Sequence, residues 1–422
     1  MRLWNTNPFD AVKLAGAEGS TVWDTRGKRY LDLLSGTWCA VLGHAHPRWV
    51  SAVSAHASAL AHTPSRFATP AIEAALAKLA EILPPALNRV VFLSSGSEAV
   101  ELALKMARAA SGRQTTVVAE RAYYGATMHA LALSEAGRTL RCLPAGGAVY
   151  RVPAPYCTHC PKGLQWPCDG NFPCLDGLAE VSEQPDADVA AVLYEPIIAA
   201  GILVPPPGYG ARLRALATRC RAVLIAEEVT TGMGRTGRWF GFEHEGILPD
   251  VLVIGKALGG GLPVSAVVTS DEFEASCYTH LGRHVQSHQN DPFSGGVAAA
   301  VIATLRDERL VDAAAALGER LMSGLRAIKD RVPAIREVRG RGAMIGVELE
   351  PASSGNGPPI VADLFDAGFI IDFHAASSTF RLFPPFVLTP GEADAFLQAF
   401  ERVLAKRGAP LAGQAGGPCT ST

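Results

Sequence analysis

One lysine lies directly after a short apolar run, in the stretch DVLVIGKALGGG at residues 250–261. The run Val251–Ile254 is typical of a buried strand, and Lys256 follows it after a single glycine. Because burial disfavours the ammonium form, a lysine at this place can offer a free amine near neutral pH. Such an amine can form a Schiff base with an aldehyde. A surface lysine in a glycine-rich loop fits this stretch alone equally well.

Polar residues that could bind a ligand also follow other predicted strands. Glu195 and Glu227 each come directly after an apolar run, and Tyr123 lies in the loop after another. The segment Ser94–Ser97 separates a strand from a helix, so its N–H groups and hydroxyls could bind an anion. An ordinary helix cap explains that segment as well.

The elements that must position these residues alternate between strands and helices, which predicts an α/β domain with a mainly parallel sheet. Ligands of such sheets bind beyond the carboxyl ends of the strands, so the polar residues should meet at one edge. Polar residues at several strand ends are together stronger evidence for a ligand-binding site than any one of them alone. The runs predicted to be strands of this sheet are 89–93, 116–119, 189–194, 222–226 and 251–254.

Composition limits the classes of function. The 422 residues are 48% hydrophobic, and 38 Lys and Arg nearly balance 40 Asp and Glu. This balance gives no electrostatic argument for binding nucleic acid or an anionic membrane. No apolar run is long enough to span a bilayer, and the first residues have no hydrophobic signal core. Nine cysteines in this length fit a reducing compartment, so we expect a cytoplasmic protein.

A loop-like insert at residues 151–175 contains four cysteines, Cys157, Cys160, Cys168 and Cys174. The first two are spaced as in many zinc sites, but five residues separate the second pair and the loop is rich in proline. Reduced thiols packed in a loop are the alternative. The sequence predicts no other metal site and leaves zinc at these cysteines open.

Several motifs occur in an order that resembles one enzyme family, the class III aminotransferases. These are fold-type-I pyridoxal-phosphate enzymes, and they include ornithine, acetylornithine and 4-aminobutyrate aminotransferases. Segments 35–47 and 287–292 are similar to those of one member, dialkylglycine decarboxylase. The resemblance runs from about Gly19 to Pro390, and its motifs are LGHAHP (42–47), SSGSEAVE (94–101), YYG (123–125), EP (195–196), EEVTTGMGRTG (227–237) and IGKALGGG (254–261).

The resemblance implies a role for each site residue. Lys256 would bind pyridoxal 5'-phosphate covalently and later move protons as acid and base. Gly96 and Ser97 would hold its phosphate, and Tyr123 and Val229 would lie on opposite faces of its ring. Ser287 would reach the phosphate bound by the neighbouring subunit, which implies a homodimer with active sites at the interface.

Four positions depart from the family. Glu227 stands where the family has an aspartate that pairs with the pyridine nitrogen, so the charge is kept on a longer side chain. Thr230 replaces a glutamine near the phenolic oxygen, and Tyr124 replaces a histidine in the cofactor loop. Thr37 replaces a glutamine that dialkylglycine decarboxylase places near the leaving carboxylate, and Trp38 beside it is expected to contact substrate.

Arg381 corresponds to the arginine that binds the substrate carboxylate. Members that alternate between ω-amines and α-amino acids carry a glutamate shortly after the EP motif, and it neutralises this arginine. Here Ala199 and Ala200 occupy that place, so Arg381 is expected to be unpaired. An unpaired buried cation is costly, which favours substrates with a carboxylate.

The sequence therefore predicts a pyridoxal-phosphate-dependent aminotransferase that moves an amino group between an α-amino acid and a keto acid. A decarboxylase of the dialkylglycine type, an amino-acid racemase and a non-catalytic cofactor-binding relative are the alternatives. We expect a large cofactor domain with a seven-stranded type of sheet at 47–296. Residues 1–46 and 297–408, with helices at 297–306 and 390–407 and a strand at 369–373, would form a small α+β lobe. Residues 409–422 are predicted to be a disordered tail.

Overall fold

The computed structural model describes residues 12–140, 149–160, 163, 168, 170–184 and 187–407. The tail predicted at 409–422 lies outside the described residues. Within those ranges, no helix is both long enough and apolar enough to cross a membrane.

Strands in the described residues form three sheets. In chain order they are β1 (Leu14–Glu18), β2 (Thr21–Asp24), β3 (Arg29–Asp32), β4 (Arg89–Leu93), β5 (Thr115–Ala119), β6 (Val149–Val152), β7 (Val189–Tyr194), β8 (Val223–Glu228), β9 (Val251–Ile254), β10 (Ser265–Thr269), β11 (Ile335–Arg341), β12 (Met344–Leu349), β13 (Phe369–Ile370), β14 (Asp372–His374) and β15 (Thr379–Leu382).

The central sheet has seven strands in the order β4-β10-β9-β8-β7-β5-β6. Strands β5 to β9 pair in parallel, and every residue of β7, β8 and β9 is buried. This explains why they are apolar up to the two glutamates that end β8, because a parallel strand covered on both faces exposes no polar side. The prediction of a mainly parallel sheet is confirmed, and β10 is the exception, since it pairs antiparallel with both β4 and β9.

Helices connect the strands and pack against the sheets. Ser95 caps the helix after β4 by accepting the N–H of Glu98, while the Glu98 carboxylate accepts the N–H of Ser95. The helices are α1 (Ser35–Trp38, a kinked turn), α2 (Pro47–Ser58), α3 (Pro70–Ala80), α4 (Gly96–Ser111), α5 (Met128–Leu133), α6 (Asp176–Ser182), α7 (Tyr209–Arg219), α8 (Asp271–Leu281), α9 (Pro292–Asp307), α10 (Leu310–Lys329), α11 (Gly357–Asp366) and α12 (Pro390–Arg407).

A smaller lobe is built around a second sheet, β11-β12-β15-β14, in which every pairing is antiparallel. A third sheet, β1-β2-β3-β13, joins an N-terminal and a C-terminal segment, because β3 pairs in parallel with β13. The strand predicted at 369–373 is therefore two short strands that belong to different sheets.

The predicted boundary between residues 296 and 297 falls inside α9, which begins at Pro292 rather than at residue 297. Val297 and Val301 of this helix pack in the core around the central sheet. Leu317 and Leu321 of α10 pack in a separate core with the small-lobe strands. The division of the chain into domains stays a prediction.

Candidate active site

A cavity of about 1450 Å³ opens at the carboxyl ends of the central strands. Strand ends and the first turn of α4 form one wall, and residues 361–381 of the small lobe form the other. All but one of the site residues named from the sequence line this cavity, and the exception is Ser287. They are Thr37, Trp38, Gly96, Ser97, Tyr123, Tyr124, Glu227, Val229, Thr230, Lys256 and Arg381.

Lys256 begins a single helical turn directly after β9 and Gly255. Its φ of +41° lies in the left-handed region, which is uncommon for a residue with a side chain and is a mark of functional sites. The ammonium Nζ donates a hydrogen bond to Oγ1 of Thr230 at 2.6 Å. Burial lowers the pKa of Lys256, and the negative charges of Glu227 and Glu195 offset part of this effect.

Two glutamates at the end of β8 point in opposite directions, as successive residues of a strand do. Glu227 lines the cavity, and burial together with the charge of Glu195 raises its pKa well above the usual range. Glu228 instead accepts the hydroxyl of Thr231 at 2.7 Å and the N–H groups of Gly241 and Phe242. Glu228 therefore holds the loop after β8, and Glu227 is the carboxylate that faces the site.

Glu195 follows β7 and is a second buried carboxylate in the wall of the cavity. One oxygen accepts the N–H of Tyr123 at 2.9 Å, and the other accepts the N–H of Ala199 at 2.9 Å. Burial raises the pKa of Glu195 to about 7, although these two hydrogen bonds and Lys256 act to lower it. The sequence marked Glu195 only as a strand-end residue.

The first turn of α4 meets the loop after β8 at very short range. A Cβ atom on Gly96 would lie 3.0 Å from Cγ2 of Val229, so a larger residue at this position would crowd the valine. Ser97 accepts the N–H of Ala126 at 3.0 Å through its hydroxyl oxygen, which joins α4 to the tyrosine loop. Free N–H groups at the start of a helix of this length suit a phosphate.

The two tyrosines after β5 have different environments. Tyr123 has 47% of its surface exposed and lies in the cavity wall near Glu227. Tyr124 is almost fully buried, and its hydroxyl donates to the carbonyl of Leu193 at 3.0 Å. The Tyr124 hydroxyl thus fastens the loop to β7, and the exposed ring of Tyr123 is the one available to a flat ligand.

The ring of Trp38 contacts both basic side chains of the site, Lys256 and Arg381. Nζ of Lys256 is 4.7 Å from the centre of its ring, and the guanidinium carbon of Arg381 is 4.9 Å from it. The indole is itself stacked on Phe383 at 4.2 Å. An amine and a guanidinium are thereby held on one aromatic ring, a spacing that suits a small molecule with an amino group and a carboxylate.

The expectation that Arg381 is unpaired is wrong. Its Nη2 atom pairs with the carboxylate of Asp372, and its Nη1 atom donates to the carbonyl of Ala200 at 3.3 Å. Asp372 was missed because it comes from the strand β14, directly opposite Arg381 on β15. The sequence signal would have been an antiparallel pairing of residues 372–374 with the strand of Arg381. The Nε atom of Arg381 is buried and has no hydrogen-bond partner.

Ser287 is exposed on the segment before α9 and does not reach the cavity of its own chain. Nearby, Asp291 accepts hydrogen bonds from His62 and His288 at 2.5 Å each, one on each carboxylate oxygen. Those three residues are a possible metal-binding group within the described part of the chain, but the two imidazoles already satisfy the carboxylate.

The cysteine insert lies against the small lobe and not in the cavity. Tyr156 donates its hydroxyl to Glu348, and Thr158 donates to Glu337, each at 2.6 Å. Burial raises the pKa of Cys157 to about 11, and the neighbouring thiols of Cys168 and Cys160 add to this. Among the described residues, these cysteines do not form a group of three ligand atoms close enough to hold one metal ion, so the structure gives no support to zinc binding there.

Comparison with known proteins agrees with this geometry. The sequence profile of the family described as Aminotransferase class-III matches residues 5–404. Over 395 residues the chain is 36% identical to the acetylornithine aminotransferase of Mycobacterium leprae, covering 93% of this chain and 91% of that protein.

Solved structures with the same fold include a pyridoxal-phosphate-bound amine transaminase from an uncultivated Pseudomonas species, with a TM-score of 0.89 at 27% identity, covering 97% of this chain and 98% of that one. The ornithine aminotransferase of Toxoplasma gondii gives a TM-score of 0.84 at 27% identity, covering 96% and 92%.

The fold and the site define a fold-type-I pyridoxal-phosphate enzyme. The chain belongs to the class III aminotransferase family, and it is a pyridoxal-phosphate-dependent transaminase. The residues of one cavity fit that cofactor. They are the exposed ring of Tyr123, Gly96 at the start of α4, the buried carboxylate of Glu227 and the amine of Lys256.

The Arg381–Asp372 pair predicts the effect of removing its negative partner. A substrate carboxylate must compete with Asp372 for the guanidinium, so Asp372→Asn should tighten the binding of a small α-keto acid by about 3- to 10-fold. Inhibition constants or calorimetry on the purified protein would measure this.

Asp394→Asn is the matched control, because Asp394 pairs with Arg320 on the surface, away from the cavity. It should leave keto-acid binding unchanged. Weaker binding by Asp372→Asn would contradict the competition and show instead that Asp372 holds Arg381 in a productive position.

Proposed function

We propose that this transaminase acts on an α-amino acid whose carboxylate binds Arg381 and whose amino group faces Lys256. The observation that carries the proposal is the single indole of Trp38, with Nζ of Lys256 at 4.7 Å and the guanidinium of Arg381 at 4.9 Å. An α-amino acid carries its two polar groups on one carbon, so one molecule can engage both side chains.

Each residue then has a physical task. When bound, pyridoxal 5'-phosphate supplies an aldehyde that accepts the amino group and an electron-poor ring that stabilises negative charge on the adjacent carbon. Lys256 is the residue we assign to the covalent attachment of the cofactor. Because burial lowers the pKa of its amine, Nζ can also accept a proton from the substrate α-carbon and return one to the product.

The remaining groups bind and orient. The N–H groups at the start of α4, with Gly96 and Ser97, would hold the phosphate. Tyr123 and Val229 would cover the two faces of the ring, and Glu227 would pair with its nitrogen. Thr230 holds Nζ of Lys256 in place before the cofactor binds.

Apolar residues of the small lobe would exclude water from the bound substrate. Phe365, Phe369 and Ile371 line the side of the cavity opposite the strand ends. Removing water strengthens the interaction of the charged substrate with Arg381.

We also propose that the enzyme works in the cytoplasm. Free thiols support a reducing compartment, and Cys39, Cys220 and Cys277 are of this kind.

The carboxylate role of Arg381 is tested by Arg381→Lys, which keeps the charge but loses the planar fork. We expect kcat/KM for α-amino acids to fall, with a loss of transition-state stabilisation on the order of 2–4 kcal/mol. The wild type should form keto acid and release no carbon dioxide. Arg320→Lys, the same change at a surface ion pair, should leave kcat/KM unchanged. Equal activity of Arg381→Lys and the wild type would reject the carboxylate-binding role of Arg381. Stoichiometric carbon dioxide release by the wild type would reject transamination as its reaction.

We further propose a homodimer in which Ser287 contacts the cofactor of the partner subunit. Ser287 is exposed and lies outside the cavity of its own chain, so it can act there only across an interface. Light scattering should give a dimer, and Ser287→Ala should weaken cofactor binding while Ser276→Ala, an exposed serine of α8, should not. A monomer with full cofactor occupancy and full activity would refute the dimer.

A further inference from the structure

The side chain of Glu195 joins two loops, because its carboxylate accepts a backbone N–H group from each of them. Its oxygens accept the N–H of Tyr123, in the loop after β5, and the N–H of Ala199, in the loop after β7, both at 2.9 Å. The Tyr123 loop presents the exposed ring in the cavity. The Ala199 loop continues to Ala200, whose carbonyl accepts a hydrogen bond from Arg381 at 3.3 Å. One buried carboxylate thus holds both ends of the site.

Glu195 also lies beside Glu227, because the two residues directly follow the register pair Tyr194 and Ala226 in the adjacent strands β7 and β8. After burial, its charge is the largest influence on the ionisation of Glu227, and it also acts on Lys256. Two buried carboxylates side by side are costly unless positive charge lies between or beside them. The other titratable groups that face this pair are Lys256, Glu228, Tyr123 and Tyr124.

We propose that Glu195 is a positioning residue of the active site, which clamps the Tyr123 loop to the Ala199 loop and adds a second carboxylate beside Glu227. The inference rests on the proposed function, because it takes Tyr123 and Glu227 as the residues that contact the cofactor ring. The second carboxylate favours the protonated forms of the groups it faces, and these include the ring nitrogen that Glu227 would pair with.

The clamp is tested first on the protein without cofactor. Hydrogen exchange followed by mass spectrometry should show the amides of Tyr123 and Ala199 protected in the wild type. In Glu195→Gln the side-chain amide can accept only one of the two N–H groups and turns a donor toward the other. We expect protection in peptides covering both residues to fall by at least about 10-fold, as for a lost hydrogen bond to a charged group.

The charge is tested on the protein loaded with pyridoxal 5'-phosphate. The visible absorption of the bound cofactor is followed against pH. Because Glu195→Gln removes an ionisable carboxylate, the midpoint pH of the absorption change should move down by about one unit. Glu195→Asp keeps the charge but is one methylene too short to reach both N–H groups. It should keep the wild-type midpoint and bind the cofactor about 10-fold more weakly. Glu274→Gln, at an exposed carboxylate of α8 that pairs with Arg89 outside the cavity, should change neither quantity.

Several outcomes would overturn the inference. Unchanged protection of the Tyr123 and Ala199 amides in Glu195→Gln would reject the clamp. An unchanged midpoint in Glu195→Gln, or the same shift in Glu274→Gln, would reject the role of the second carboxylate. If Glu195→Gln does not fold, Glu195→Asp and the wild-type protection of both amides still decide the clamp. Failure of the wild type to transaminate would remove the proposed function but leave the exchange result on the clamp intact.

Discussion

The structure of the site depends on keeping one amine out of water beside buried carboxylates. Lys256 sits at the end of a fully buried strand, with its backbone in a left-handed conformation and its Nζ atom on Thr230. Burial alone would make the ammonium form costly, and Glu227 and Glu195 partly restore it. Each group is therefore tuned by the others, and removing any one of them shifts the rest.

This dependence explains why a glutamate can stand at position 227. The side chain of Glu227 points into the cavity from the end of β8. Glu228, the next residue, points the other way and holds the following loop through three hydrogen bonds. Glu195 lies beside Glu227 and adds a second carboxylate at the end of β7. This edge of the cavity therefore carries two carboxylates from neighbouring strands, Glu195 and Glu227.

Local sequence patterns predicted the parts of the site that lie at strand ends. A buried run followed by a polar residue fixes where a side chain emerges, and this placed Lys256, Glu227 and the start of α4 correctly along one edge. The Arg381–Asp372 pair escaped because it depends on the antiparallel register of β14 and β15, which are 3 and 4 residues long. Short strands carry little periodicity, and long-range pairing cannot be read from either strand alone. The same reason hid the two backbone bonds of Glu195, whose donors come from separate loops.

The most direct test of the account is to locate the covalent attachment of the cofactor. The protein is loaded with pyridoxal 5'-phosphate, reduced with borohydride, digested and sequenced by mass spectrometry. The account predicts one modified peptide, carrying the cofactor on Lys256, and its loss in Lys256→Ala, which should still fold. The adduct on another residue, such as Lys105 of α4, with Lys256 unmodified, would contradict the central claim.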